Sequence, residues 1–117
     1  NLSEFFEVAA FFFELPEYEA SLLLWQEEQP PHVKEILEKV LNIITRIAKT
    51  AFNRISLEEV LKEMIAEQGR GPVLWSLRVA VSGRSASPDP LDIMEVLGSA
   101  ESVKRVQTAL DKLTSTP

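Results

Sequence analysis

The chain has 117 residues, is 45% hydrophobic and carries a net charge of −6. That size and apolar content suit one folded domain and exclude wholesale disorder. No apolar run nears the roughly 20 residues that cross a bilayer, the acidic start Asn1-Leu2-Ser3-Glu4 is no secretory leader, and the lack of cysteine fits a reducing cytoplasm.

The first predicted helix is Ser3 to Glu14, with Ser3 as cap and Glu4 and Glu7 in the turn where the helix dipole favours acids. Phe5, Val8, Ala9 and Phe12 share one face, and Phe6 and Phe13 widen it. A helix apolar around most of its circumference expects neighbours on two sides, so part of this surface is expected to pack on a preceding domain. The chain does not begin with Met, which fits a fragment or a processed chain. Pro16 stops the helix. Glu17 to Glu28 predicts a second, with Tyr18, Leu22 and Trp25 at i, i+4 and i+7.

The longest predicted helix runs from Pro31 to Thr50. Val33, Ile36, Leu37, Val40, Leu41, Ile44, Ile47 and Ala48 form its apolar stripe, and Pro31 fits the first turn. Ser56-Leu57-Glu58-Glu59 has the pattern of a capping box. It predicts a fourth helix whose inner face is Leu57, Val60, Leu61, Met64 and Ile65, ended by Gly69 and Gly71. Pro72 to Ser82 predicts a fifth, with Val73, Leu74, Leu77, Ala80 and Val81 inside and Trp75 and Arg78 off the stripe. Asp89-Pro90-Leu91-Asp92 starts the sixth, with Leu91, Met94 and Leu97 inward and Gly98 as its end. Ser99 caps a last helix carrying Val103, Val106, Leu110 and Leu113, and residues 114–117 form a tail. The fold class is therefore all-α, a compact bundle or cage of about six to seven helices.

Catalytic and metal chemistry find no constellation. His32 is the single histidine, without a candidate nucleophile nearby in sequence. There is no Cys/His cluster for zinc and no glycine-rich phosphate loop. We expect no catalytic residue, no metal and no cofactor in this stretch. The charge is unevenly spread: residues 1–45 hold nine acids and two bases, residues 46–84 seven bases and four acids, and residues 85–117 three bases and five acids. An acidic chain with a basic middle can still make local phosphate contacts, although ordinary surface scatter produces the same pattern. Within Leu77 to Gly98, Arg78 and Arg84 flank a serine-rich loop ending in Pro88-Asp89-Pro90. Arginine offers a planar fork of donors suited to phosphates and base edges. A stiff polar loop can meet unstacked RNA bases at low ordering cost. The alternative is that Arg78 is taken up in a salt bridge and the loop only connects helices.

The runs Leu77-Arg78-Val79-Ala80-Val81-Ser82-Gly83-Arg84, Ser87-Pro88-Asp89-Pro90-Leu91-Asp92-Ile93 and Glu95-Val96-Leu97-Gly98 closely resemble the C-terminal anticodon-binding domain of bacterial-type glutamyl-tRNA synthetases, which are class I enzymes. The stretch Leu2 to Tyr18 is similar to the segment that enters this region in that family. The resemblance implies one C-terminal domain over 1–117, with a helical part at 1–70 and a part at 71–117 carrying the tRNA-contacting loop. It implies contact with the glutamate-tRNA anticodon loop through Arg78, Ser87, Pro88 and Pro90, to which we add Arg84 for its charge and place. Ser82 stands where the family commonly has threonine, and Pro90 where a leucine contacts a base. The resemblance also implies an upstream catalytic domain using ATP and Mg, a cytoplasmic setting, no membrane and a monomer. A rival reading is a helical protein-interaction domain that docks through Phe5, Phe6 and Phe12.

Overall fold

The structure, a computed structural model, describes residues 10–115. The predicted cap Ser3, together with Glu4, Phe5, Phe6, Glu7, Val8 and Ala9, lies outside them. Residues 10–13 are helical and the helix is over before Pro16. Phe11 is buried whereas Phe13 is 89% exposed, so the aromatic surface is only partly turned inward.

The second predicted helix does not form. Residues 17–28 are irregular around one short 3₁₀ turn, Ala20–Leu23, and Gln26 adopts a positive φ of 54°. Tertiary partners take the carbonyls a helix would need. The Leu22 carbonyl accepts from Trp75 Nε1 at 2.9 Å and the Tyr18 carbonyl from Lys112 Nζ at 3.2 Å. The segment is a strap held down by its aromatic and apolar side chains.

Helix α1 (Pro30–Ile44) buries Val33, Ile36, Leu37, Val40 and Ile44, as its stripe predicts. It stops six residues earlier than expected. Thr45 Oγ1 donates to the Asn42 carbonyl, and the Arg46 and Ile47 amides bond only three residues back, which tightens and ends the last turn. Ala48 is consequently exposed, and a second 3₁₀ turn, Lys49–Ala51, follows. Helix α2 (Arg54–Gln68) begins before the predicted capping box. Its cap is Asn53, whose side chain accepts from the Ser56 amide, so Ser56 is the third helical residue and not the cap. Val60 sits at the rim, 40% exposed, while Leu57, Leu61, Met64 and Ile65 are buried.

Gly69, at φ 96°, makes the corner between α2 and helix α3 (Arg70–Ser82). The sequence reading started α3 at Pro72 and gave Gly71 a terminating role. Gly71 instead lies inside the helix, where a Cβ would stand 2.6 Å from the Trp25 ring. Helix α4 (Pro90–Leu97) buries Leu91, Ile93 and Met94, and Leu97 is only half-buried. Helix α5 (Ser99–Ser115) includes the predicted cap Ser99 as its first helical residue, with the Gly98 carbonyl accepting from the Ser102 amide, and extends into the predicted tail.

α3 touches α1, α2, α4, α5 and the Ala20–Leu23 turn, and is the hub of the bundle. Val73, Ser76, Leu77, Val79, Ala80, Val81 and Ser82 are all buried on it. α1 and α5 form the most extensive helix pair, so the stretches on either side of residue 70 share one core. No strand occurs among the described residues, and no helix there is long and apolar enough to cross a membrane.

Candidate nucleic-acid interface

α3 leads into the loop of interest through two buried residues. Gly83 is left-handed, at φ 70° and ψ 14°, and its amide donates to the Val79 carbonyl at 2.7 Å. A Cβ on it would lie 3.0 Å from both Cδ and the carbonyl oxygen of Pro16, so the strap fixes where the helix ends. The Ser82 hydroxyl donates to the Arg78 carbonyl at 2.6 Å and accepts from the Arg84 amide at 3.1 Å. One buried serine thereby ties the backbones of the two arginines together.

The far end of the loop is equally defined. Ser87 Oγ donates to the Pro88 carbonyl at 2.8 Å, which stiffens the turn before the helix. Asp89 caps α4 by accepting from the Leu91 amide at 2.9 Å. Ser85 and Pro88 are exposed and Arg84 and Ser87 half-buried, so these four share one accessible loop. Pro90 is buried at the first helical position of α4. It shapes the backbone there, and its ring is not on the accessible surface.

Arg78 lies one turn before Ser82 and is half-buried. Its Nε is sealed from water with no hydrogen-bond partner, and the guanidinium has no ion-pair partner among the described residues. The alternative that Arg78 is taken up in a salt bridge therefore finds no acid to supply one. Arg46, which is exposed, also has no ion pair among the described residues, but Arg54 and Arg70 differ sharply. Arg70 Nη1 is 3.4 Å from Glu58 Oε1. Arg54 Nη1 is 3.0 Å from Asp92 Oδ2 and 3.5 Å from Asp89 Oδ1. The hydrogen bond with Asp92, then the charge of Asp89, holds the Arg54 guanidinium above the ordinary arginine range.

Two residues behind the loop were not singled out from the sequence. Arg105 of α5 is 2% exposed; its Nη1 donates to the Val81 carbonyl at 2.7 Å and its Nε to Glu101 Oε2 at 2.8 Å. A signal for it was present: Arg105 shares the stripe of Ser102, Val106 and Ala109, with Glu101 one turn before it. Arg54 had only its i, i+4 neighbour Glu58, 3.9 Å away, as a local signal, because Asp89 and Asp92 lie more than 30 residues further along the chain. His32 is exposed, as its place in a first turn suggests, and contacts Glu28 and Gln68.

Fold and loop together define a class: an all-helical domain presenting a short, arginine-flanked polar loop between two helix ends. The family model described as anticodon binding domain matches residues 1–110, and the chain belongs to that family. The glutamate–tRNA ligase of Clostridium tetani is 38% identical over 117 aligned positions, covering 96% of this chain and 24% of the relative. That of Lachnoclostridium phytofermentans is 35% identical over 113 positions, covering 93% of this chain and 23% of the relative. The chain thus spans about a quarter of the length of these relatives. A crystal structure of a glutamate tRNA ligase from Elizabethkingia meningosepticum, in complex with its amino acid, shares the fold with a TM-score of 0.78 over 94% of this chain and 22% of that one, at 24% identity. None of these comparisons supports the rival protein-docking reading.

Proposed function

We propose that this chain binds the anticodon loop of glutamate tRNA through Arg78, Arg84 and the Ser87-Pro88 turn, and does no chemistry itself. It serves a parent glutamate–tRNA ligase whose upstream catalytic part uses ATP and Mg; no residue of this chain is assigned to either. The observation that carries the reading is the state of Arg78. In an acid-rich chain whose Arg54, Arg70 and Arg105 are each joined to carboxylates, Arg78 has no carboxylate partner among the described residues and a buried Nε without a hydrogen bond. The family match and the names of the relatives supply the ligand class. Pro90 contributes through backbone shape and not through a direct contact.

The test is a binding titration of the full chain with a glutamate anticodon stem-loop and with a control loop of changed anticodon, at low and moderate salt. Affinity should fall with salt through counterion release. Arg78→Ala should cost the cognate loop about 1–3 kcal/mol and the control less. Equal affinity for both loops in the unmodified chain would refute anticodon reading.

A further inference from the structure

We propose that Arg54 is a positioning residue for the Gly83–Asp89 loop: it pins the loop's far end and offsets part of the negative charge of the carboxylates that border it. The inference rests on the anticodon-binding reading above. The near end of the loop is held by neutral groups, namely the buried Ser82 and Gly83 and the half-buried Pro16. The far end hangs on Asp89, and Asp89 is held from outside α4 by Arg54 alone among the ion pairs of the described residues. Asp89 Oδ1 both caps α4 and faces Arg54 Nη1, so the cap and the ion pair share one oxygen.

Arg54 does more than touch the cap. Its guanidinium also takes Asp92, and its backbone amide donates to Glu95 Oε2 at 2.7 Å. The cap of α4 and two acids within it thus converge on Arg54, which also lies 3.9 Å from Glu58 of its own helix. Asp92 is 55% exposed, which leaves its charge facing solvent next to the loop. Such acids suit the start of α4 but repel a phosphate backbone within about 8 Å at physiological ionic strength. Arg54 serves both demands: the acids remain for the helix, and its single positive charge offsets part of their field for the ligand. A residue that merely glued α2 to α4 would stabilise the fold equally well, yet removing an acid would not compensate for its loss.

That difference sets the experiment. Arg54→Gln, Asp92→Asn, the double variant and Arg78→Ala are compared in the full chain by titration with the cognate and control stem-loops, alongside thermal unfolding. Arg54→Gln should weaken cognate binding about fivefold and narrow the cognate-to-control ratio. Adding Asp92→Asn should recover most of that affinity although it restores no ion pair. A double variant no better than Arg54→Gln overturns the proposal. So does unchanged binding by Arg54→Gln when Arg78→Ala is impaired, and in that case anticodon reading itself survives. If Arg78→Ala is also without effect, or the unmodified chain does not distinguish the loops, the functional reading falls instead. Should Arg54→Gln not fold, Arg54→Lys carries the test: it keeps the charge without the fork, and a reduced cognate-to-control ratio supports positioning while an unmodified ratio refutes it.

Discussion

Replacing Arg105 separates a hydrogen-bonding role from a packing role. The side chain is almost wholly buried and makes two short bonds, to the Val81 carbonyl in the last turn of α3 and to Glu101. Arg105→Met keeps most of the stem and removes both bonds. The Val81 carbonyl then lacks a donor, at about 1–3 kcal/mol. Glu101 is 38% exposed and stays hydrated, so its loss adds little. One effect opposes this: a methionine no longer pays to desolvate a guanidinium, and such swaps are sometimes neutral. With both bonds charge-assisted and below 3 Å, we expect the loss to win. Arg105→Ala removes most of the stem as well, two methylenes at about 0.8 kcal/mol each, for a total near 3–5 kcal/mol. For a domain of this size the Met variant should melt about 4–12 °C lower, and the Ala variant lower still. Urea and thermal unfolding followed by circular dichroism measure both. A Met variant as stable as the unmodified chain would show that desolvation relief dominates, and would refute the claim that Arg105 secures the end of α3.

Three further outcomes follow from single contacts. Gly83→Ala should cost about 2–4 kcal/mol, from the left-handed backbone and the contact with Pro16, and should disturb the loop enough to weaken RNA binding in the same titration. Asn53→Ala removes the cap of α2 and should cost about 1 kcal/mol in urea unfolding, whereas Ser56→Ala leaves that cap in place and should cost less. Burial, and secondarily the charge of Glu17, pushes the Tyr18 phenol above its usual range, and its hydroxyl has no hydrogen-bond partner. Because the folded chain holds that proton more tightly, its contribution is complete below about pH 10 and fades as pH climbs through the folded value. Urea midpoints from pH 8 to 11 should therefore fall more steeply for the unmodified chain than for Tyr18→Phe, which should be at least as stable at neutral pH.

What could be read from the sequence was whatever depended on neighbours along the chain. The α1 stripe, the Asp89-Pro90 start of α4 and the Val106, Leu110 and Leu113 face of α5 each follow from spacing alone, and each is found. Two failures were local, the early end of α1 at Thr45 and the cap of α2 at Asn53; others occurred where distant groups decided the outcome. Residues 17–28 have helical spacing, but Trp75 and Lys112 claim their carbonyls. Gly71 looks like a terminator until the Trp25 ring is seen to occupy the space of its side chain. The loop residues were legible because they resemble a family over a contiguous run. Pro90 is the instructive case among them: its position along the chain suggests a contact, whereas its ring is buried at the first position of α4.

The sign of the net charge is a poor guide to what such a surface can bind. At −6 the chain should repel RNA, if charge acted as a sum. It does not: fields decay within about 8 Å in physiological salt, so only charges near the loop count. Near it, Asp89 and Asp92 share the positive charge of Arg54, and Glu101 behind it is matched by Arg105. The excess acids lie largely in residues 1–45. An acidic domain can thus expose a locally permissive loop, provided the acids beside it are paired within the protein. It follows that unpairing one of them, at unchanged net charge, should harm RNA binding more than adding an acid among residues 1–45. Exchanging the two partners as Arg54→Asp with Asp92→Arg keeps the total at −6 and the Asp92 pairing intact but leaves Asp89 beside a like charge, so it should bind worse than Lys34→Glu, which makes the whole chain more acidic by two charges.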